Sequence, residues 1–200
     1  MNRPGFPAML DRYAGWIAAA CCVLAALGFS AALPGFSHTQ HPLALLGAHG
    51  VERAAAYNLL GFVVPGLLAA WTFARLRDRL PASAGRMGAI GVWLLVIGAL
   101  AFTAQGIWPL DPNDLDGAVS QRHATAWMLW WLSFAVGGVL FGIGVRSNGA
   151  WRGTGFALAA AGVLAIALNV VASRWMPGPW AQRVVLLLWL ACVVLASRRR

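Results

Sequence analysis

An acidic segment, residues 108–123, contains the residue types that could carry out chemistry. Asp111, Asp114 and Asp116 make up half of the acidic residues of the chain, and the segment ends in His123. A carboxylate and an imidazole at neighbouring helix ends could form a general acid–base pair or bind a divalent metal together. The alternative is structural, because Asp-Pro-Asn-Asp is typical of turns. His123 opens an apolar run, so we expect it to face the interior of a helix bundle.

Three further histidines, at positions 38, 41 and 49, precede the second apolar run. His38 and His41 have i, i+3 spacing. A zinc site requires three or four convergent ligands of defined geometry, and neither an HExxH pattern nor a Cys/His cluster occurs here. We therefore interpret these histidines as part of a solvated loop. No cofactor is predicted, and a divalent metal enters only through the enzymatic alternative given below.

The composition is that of a protein embedded in lipid. Of the 200 residues, 60% are hydrophobic and 10% are charged, whereas a soluble domain has about 25% charged residues. The net charge is +9, and all 15 basic residues are arginine. These arginines lie at the ends of apolar runs, where positive charge determines membrane topology, so no nucleic-acid partner is predicted. The 3 cysteines lie within apolar runs and are interpreted as small apolar fillers.

Six apolar runs are long enough to cross a hydrocarbon core of about 30 Å as helices. They predict an all-α membrane protein, a six-transmembrane-helix bundle in a single domain over residues 1–200. A short apolar stretch at 42–48 is predicted to be an interfacial segment in the first outer loop, and Pro65 is predicted to kink the second span. Gly138 and Gly142 have a spacing that suits close helix contact or oligomerisation. The predicted spans are residues 14–34, 57–74, 87–107, 123–145, 153–173 and 179–197.

The arginines are distributed unequally between the two faces of the predicted bundle. Eleven lie on the face that carries both termini, and four lie on the opposite face. By the positive-inside rule, we expect a multi-pass protein of a bacterial inner membrane with both termini in the cytoplasm. All four histidines and four of the six acidic residues then fall on the outer face. The larger set is Arg3, Arg12, Arg75, Arg77, Arg79, Arg86, Arg146, Arg152, Arg198, Arg199 and Arg200, and the smaller is Arg53, Arg122, Arg174 and Arg183.

Polar side chains near the outer ends of the spans predict a pocket beneath the outer loops. Asn58, Gln105 and Asp114 are candidates to line it. Arg122 and Arg183 are candidates to bind an anionic head group such as a phosphate. Each set has an alternative: the amides could form hydrogen bonds that only hold helices together, and the arginines could extend to the interface. Three aromatic residues of the fourth span are interpreted as interfacial or lipid-facing, namely Trp127, Trp130 and Trp131.

Several segments carry a resemblance to a known family. They are PLALLGA at residues 42–48, NLLGFVVPG at 58–66, GIWPLD at 106–111, and His123. Together, over roughly residues 15–195, they resemble the prokaryotic membrane family called domain of unknown function 998, which implies about six helices. More distantly, the pattern is similar to DRAM-type autophagy modulators and GPI-anchor lipid remodelling proteins, which implies a role with membrane lipids. Related sequences often have serine at the position of Ala44, so Ser-type covalent catalysis is not expected here.

These observations lead to two hypotheses. In the first, an outward-facing polar pocket binds or handles a lipid or another amphiphile, with His123 and Asp111 as its central polar residues and the amides and arginines named above around them. In the second, the protein is an intramembrane hydrolase or acyl-transfer enzyme acting on lipid head groups, with or without a metal. The second hypothesis requires Asp111, Asp114 and His123, or His41, to converge within direct ligand distance as catalytic groups or metal ligands.

Reporters fused to the two chain ends test the predicted orientation. We expect a reporter that is active only in the cytoplasm to be active at either end, because eleven of the 15 arginines lie on that side. A reporter that requires export should be inactive at both ends. Activity of the exported reporter at either terminus would contradict the orientation.

Overall fold

The computed structural model describes residues 6–171 and 174–199. Within these residues it contains no strand and six helices that are long and apolar enough to cross a membrane. The prediction of an all-α six-helix bundle is therefore confirmed. The helices are α1 (Phe6–Ala32), α2 (Ala54–Asp78), α3 (Gly85–Ile107), α4 (Ala118–Val145), α5 (Gly149–Val171) and α6 (Gly178–Ser197).

Several helices extend beyond the predicted spans. α4 begins at Ala118, directly after Gly117 in an extended conformation, and so starts more than one turn before His123. Hydropathy marks the part of a helix that is immersed in hydrocarbon, whereas backbone hydrogen bonding continues into the polar ends until a turn residue stops it. The last residues of the predicted fifth span, 172 and 173, lie outside the described residues.

α2 contains a π-helical segment immediately before its proline. Residues Asn58–Val63 form this segment, and Pro65 lies in the first turn of the regular helix Val64–Asp78 that follows. Pro65 has no N–H, and its ring would collide with the carbonyl four residues earlier in a regular α-helix. The wider π turn accommodates the proline. At the position of the predicted kink, the helix therefore contains a π turn.

Glycines allow the closest helix contacts. Helices that follow one another in the chain pack side by side, and α6 closes the bundle against α1, α2 and α5. Gly91 of α3 lies against the backbone of Gly137 and Phe141 in α4. Gly138 of α4 lies against the carbonyl of Leu158 in α5. The predicted small-residue stripe of α4 is thus used within the chain, in contact with α5.

Aromatic rings from α3, α4 and α6 fill the interior. The ring centroid of Trp189 lies 4.6 Å from that of Phe102 and 5.8 Å from that of Trp130. All three side chains are almost fully buried. The interpretation of Trp130 as an interfacial or lipid-facing residue is therefore wrong, because its side of α4 faces the bundle. Trp127 and Trp131 are half-buried and pack against the same core.

Six spans place both ends of the described chain, near residues 6 and 199, at one end of the bundle, which we call the inner face. The opposite end is called the outer face, following the predicted orientation. It consists of the loops 33–53 and 108–117 and the described residues 174–177.

At the inner face, Asp11 joins α1 to α2. Its carboxylate accepts hydrogen bonds from Arg75 Nε at 3.0 Å, from Arg79 Nη2 at 2.9 Å and from Trp71 Nε1 at 3.0 Å. Arg79 also donates to the carbonyl oxygen of Arg199. One largely buried carboxylate therefore compensates two guanidinium groups at this end of the bundle.

Gly91→Ala tests the close contact between α3 and α4. An added Cβ would lie 2.4 Å from the backbone nitrogen of Phe141 and 2.8 Å from the carbonyl oxygen of Gly137. Because backbone atoms cannot move aside independently, we expect a loss of about 1–3 kcal/mol in the free energy of unfolding. A lower midpoint of thermal unfolding in detergent would report it.

Gly28→Ala is the matched control for this substitution. Nothing lies within 4 Å of a Cβ added at Gly28, and alanine favours helix more than glycine does. Its unfolding midpoint should not fall. Equal midpoints for the two variants would contradict the packing described here.

Candidate functional site

His123 of α4 lies beneath the outer face and is buried, with 6% of its surface exposed. Its Nδ1 lies 3.1 Å from the carbonyl oxygen of Gln105 and 2.9 Å from that of Trp108. Both partners are acceptors, so Nδ1 carries a proton and donates to them. Pro109, four residues after Gln105, has no N–H that could satisfy the Gln105 carbonyl as a further helical turn would. His123 thus completes the hydrogen bonding at the C-terminal end of α3.

The acidic turn is held by its own backbone and by Ser120, rather than by His123. Asp111 Oδ1 accepts a hydrogen bond from the backbone N–H of Asn113 at 2.9 Å, which forms an Asx turn. The buried Ser120 hydroxyl accepts from the N–H of Asp111 and donates to the carbonyl oxygen of the same residue. In the described part of the chain no hydrogen bond joins Asp111 to His123, and each has other partners. A catalytic role for these two residues stays a prediction.

Asp114 takes part in the turn and in no convergent ligand set. It is exposed, and its carboxylate lies against the backbone of Gly117. Within residues 6–171 and 174–199, no group of three or more His, Cys, Asp and Glu side chains is placed to hold a metal ion. A divalent metal on the outer face therefore stays a prediction that no described cluster supports.

The two predicted pocket amides are both buried. Asn58 Nδ2 donates to the carbonyl oxygen of Gly47 at 2.8 Å. A Cβ added at position 47 would collide with the Asn58 amide, so a larger residue there would displace this side chain and its hydrogen bond. Gln105 is 1% exposed, and its Nε2 has no acceptor among the described residues. Asn58 thus forms the kind of structural hydrogen bond that was the alternative to lining a pocket.

The predicted interfacial segment forms a short 3-10 helix, Leu43–Gly47, in the first outer loop. Its side chains Leu43 and Leu46 are buried and belong to the core of the bundle. The backbone N–H of His49 donates to the carbonyl oxygen of Leu110 at 2.8 Å. This hydrogen bond joins the first outer loop to the acidic turn.

Arg183 connects the first outer loop to α6. Its Nε and Nη2 each lie 3.3 Å from His38 Nδ1 and donate to it. Its Nη2 also donates to the carbonyl oxygen of His41 at 3.0 Å, and its Nη1 to that of Pro179 at 2.8 Å. All of these acceptors are neutral. Among the described residues, no carboxylate lies within salt-bridge distance of Arg183.

His38 extends this connection to α1. Because its Nδ1 accepts from Arg183, the ring proton lies on Nε2, which donates to Ser30 Oγ at 2.9 Å. The hydroxyl of Ser30 in turn donates to the carbonyl oxygen of Leu27 at 3.0 Å. The interpretation of His38 as a solvated loop residue is therefore wrong. In the sequence, the only indication of the role of His38 is its partner Arg183, an arginine inside an apolar run with no acidic residue near it.

Arg183 lies at the outer end of an apolar groove between α1 and α6, which we call the α1–α6 groove. Its volume is about 300 Å³, and its walls include Leu27, Leu186, Leu187 and Trp180. Leu187 and Trp180 are exposed on the surface of the bundle. The groove therefore opens towards the surrounding bilayer.

A second groove, the α3–α4 groove, lies between α3 and α4 and has a volume of about 680 Å³. Arg122, Gln121 and Thr125 supply polar groups, and Trp108 lies at its outer end. The structure therefore places the two arginines that were predicted to contact a head group at two separate grooves. It does not bring them together in one pocket beneath the outer loops.

Comparison of the chain with family models, with curated proteins and with solved structures finds no match. The resemblance to domain of unknown function 998 stays a prediction.

His123→Ala separates a structural role of this residue from a chemical one. Removing the imidazole leaves the carbonyls of Gln105 and Trp108 without their donor, so we expect a loss of about 1–3 kcal/mol in the free energy of unfolding. Asp111→Asn is the comparison, because asparagine can form the same turn and should change stability little. Equal stability of the two variants, measured by thermal unfolding, would contradict the structural role of His123.

Proposed function

We propose that this chain is a multi-pass protein of a bacterial inner membrane that binds an amphiphile with an anionic head group, namely a membrane lipid. The proposed site is the α1–α6 groove. One observation carries the proposal: Arg183 lies at the outer end of an apolar groove, and all of its hydrogen bonds go to neutral acceptors. With both termini in the cytoplasm, the site lies in the outer leaflet.

The charge of Arg183 is the reason to expect an anion. A half-buried guanidinium without a carboxylate partner is unfavourable, because neutral acceptors satisfy its N–H groups but do not compensate its charge. Guanidinium has five N–H donors, and one hydrogen of Nη1 is left over by the hydrogen bonds described above. A phosphate oxygen fits this position, because arginine binds phosphate through strong charge-assisted hydrogen bonds.

The apolar walls provide contact for an acyl chain. In a bilayer this contact supplies little hydrophobic driving force, because the chain is surrounded by hydrocarbon in either state. The walls therefore position the tail by packing, and preference among lipids comes from the head group at Arg183. Trp180, at the outer end of α6, suits the interfacial region where the head group lies.

This proposal rests on Arg183 instead of His123 and Asp111. His123 and Asp111 already have structural hydrogen-bond partners. The proposed site therefore differs from the one predicted from the sequence: it is a lipid-facing groove rather than the centre of the outer face. Binding without chemistry requires neither an acid–base pair nor a metal.

Arg183→Gln should lower the retention of an anionic lipid. Protein purified in detergent with equal amounts of phosphatidylglycerol and phosphatidylcholine is measured by native mass spectrometry. A charge-assisted hydrogen bond is worth about 1.5–3 kcal/mol, so we expect phosphatidylglycerol retention to fall by about 10-fold or more. Arg183→Lys keeps the charge and should retain part of the preference.

Two controls make the result specific. Arg53→Gln removes a positive charge from the same face, at an exposed arginine that already contacts Glu52, and should have no effect. Leu187→Trp fills the α1–α6 groove and should lower lipid retention with Arg183 intact, whereas Leu132→Trp, at another exposed position, should not. Unchanged retention in both Arg183→Gln and Leu187→Trp would overturn the proposal.

A further inference from the structure

The α3–α4 groove is built from two stripes of side chains that run along the membrane normal. On α3 the stripe consists of residues 97, 100, 101 and 104 and is continued by 108 directly after the helix, and on α4 it consists of residues 118, 121, 122, 125, 126 and 129. This spacing places each set on one side of its helix. The floor is formed by small residues, including Ala101 and Ala104, and the inner part of the groove by larger apolar side chains, including Leu100 and Leu129.

The charges at this groove differ from those at the α1–α6 groove. Arg122 lines it, is exposed, and forms no hydrogen bond or ion pair within the described residues. Asp114 and Asp116 immediately precede α4, are exposed, and have side chains without a hydrogen-bond partner in the part of the chain that the structure describes. The groove therefore contains one unpaired cation. Two unpaired anions lie in the outer loop directly before its α4 wall, where Gln121 of the groove donates to the backbone carbonyl oxygen of Asp116.

The order of these groups along the membrane normal is defined by α4. Ala118 and Arg122 both line the groove, and Arg122 lies about 6 Å further along the axis of α4 towards the inner face than Ala118. Asp114 and Asp116 lie in the outer-face loop 108–117, four and two residues before Ala118. From the inside outwards, the groove has apolar walls and then a guanidinium, and the outer loop that leads into its α4 wall carries two carboxylates.

We propose that the α3–α4 groove binds a glycerophospholipid whose head group carries a terminal ammonium, the class to which phosphatidylethanolamine belongs. In such a lipid the acyl chains are followed by the phosphate and then by the ammonium, which is the order that the groove matches. Arg122 binds the phosphate, and Asp114 and Asp116 accept hydrogen bonds from the ammonium. A head group with net negative charge matches only half of this arrangement and is repelled by the carboxylates.

This site is independent of the one proposed at Arg183. The two grooves share no lining residue, and the head groups that they select differ in charge. The protein would thus hold two outer-leaflet lipids of different classes at different helix pairs.

Native mass spectrometry of the full chain tests the second site. The protein is purified with equal amounts of phosphatidylethanolamine and phosphatidylglycerol of the same acyl composition, in the Arg183→Gln background so that the first site does not contribute. We expect phosphatidylethanolamine to be retained in excess. The double variant Asp114→Asn, Asp116→Asn should lower this excess by about 10-fold, and Arg122→Gln should lower retention of both lipids.

Controls on the same face exclude a general effect of charge. Glu52→Gln removes an exposed carboxylate outside the groove and should leave the lipid ratio unchanged. Leu129→Trp fills the groove and should lower retention, in contrast to Leu132→Trp at a nearby exposed position. An unchanged ratio of the two lipids in the double aspartate variant would overturn the proposal, whatever the result at Arg183.

Discussion

The outer half of this protein depends on the rule that backbone carbonyls removed from water need a donor. α3 ends where Pro109 cannot supply an N–H, and His123 donates to the carbonyls of Gln105 and Trp108 from the neighbouring helix. Asn58 does the same for Gly47. The polar residues that look most like a reaction centre are therefore used to complete the hydrogen bonding of helix ends and loops.

Arg75 and Arg79 at the inner face have different kinds of partner from Arg122 and Arg183 at the outer face. At the inner face the carboxylate of Asp11 compensates Arg75 and Arg79, which ties α1 to α2. At the outer face Arg183 has only neutral acceptors, and Arg122 has no partner among the described residues. Arginines paired with a carboxylate hold the bundle together, whereas unpaired arginines beside apolar grooves are suited to recognise lipid head groups.

The seam between α3 and α4 explains why a groove exists at all. Towards the inner face, Gly88 and Gly91 of α3 lie against the backbone of α4 at Gly144 and Gly137. Towards the outer face the contacting glycines give way to alanine and larger residues, and the α3–α4 groove lies there. Small residues thus permit close helix contact where they face each other, and larger exposed side chains form the walls of the groove.

The number and approximate position of the helices could be read from the chain because hydropathy and helical hydrogen bonding are local properties. The partners of the polar side chains could not. Arg183 meets His38 across 145 residues, and no local pattern reports that pairing, so the sequence alone predicts a solvated His38. Only the packing of α6 against α1 brings them together. The two grooves could not be predicted from the sequence either, because each is formed only where two helices pack against each other.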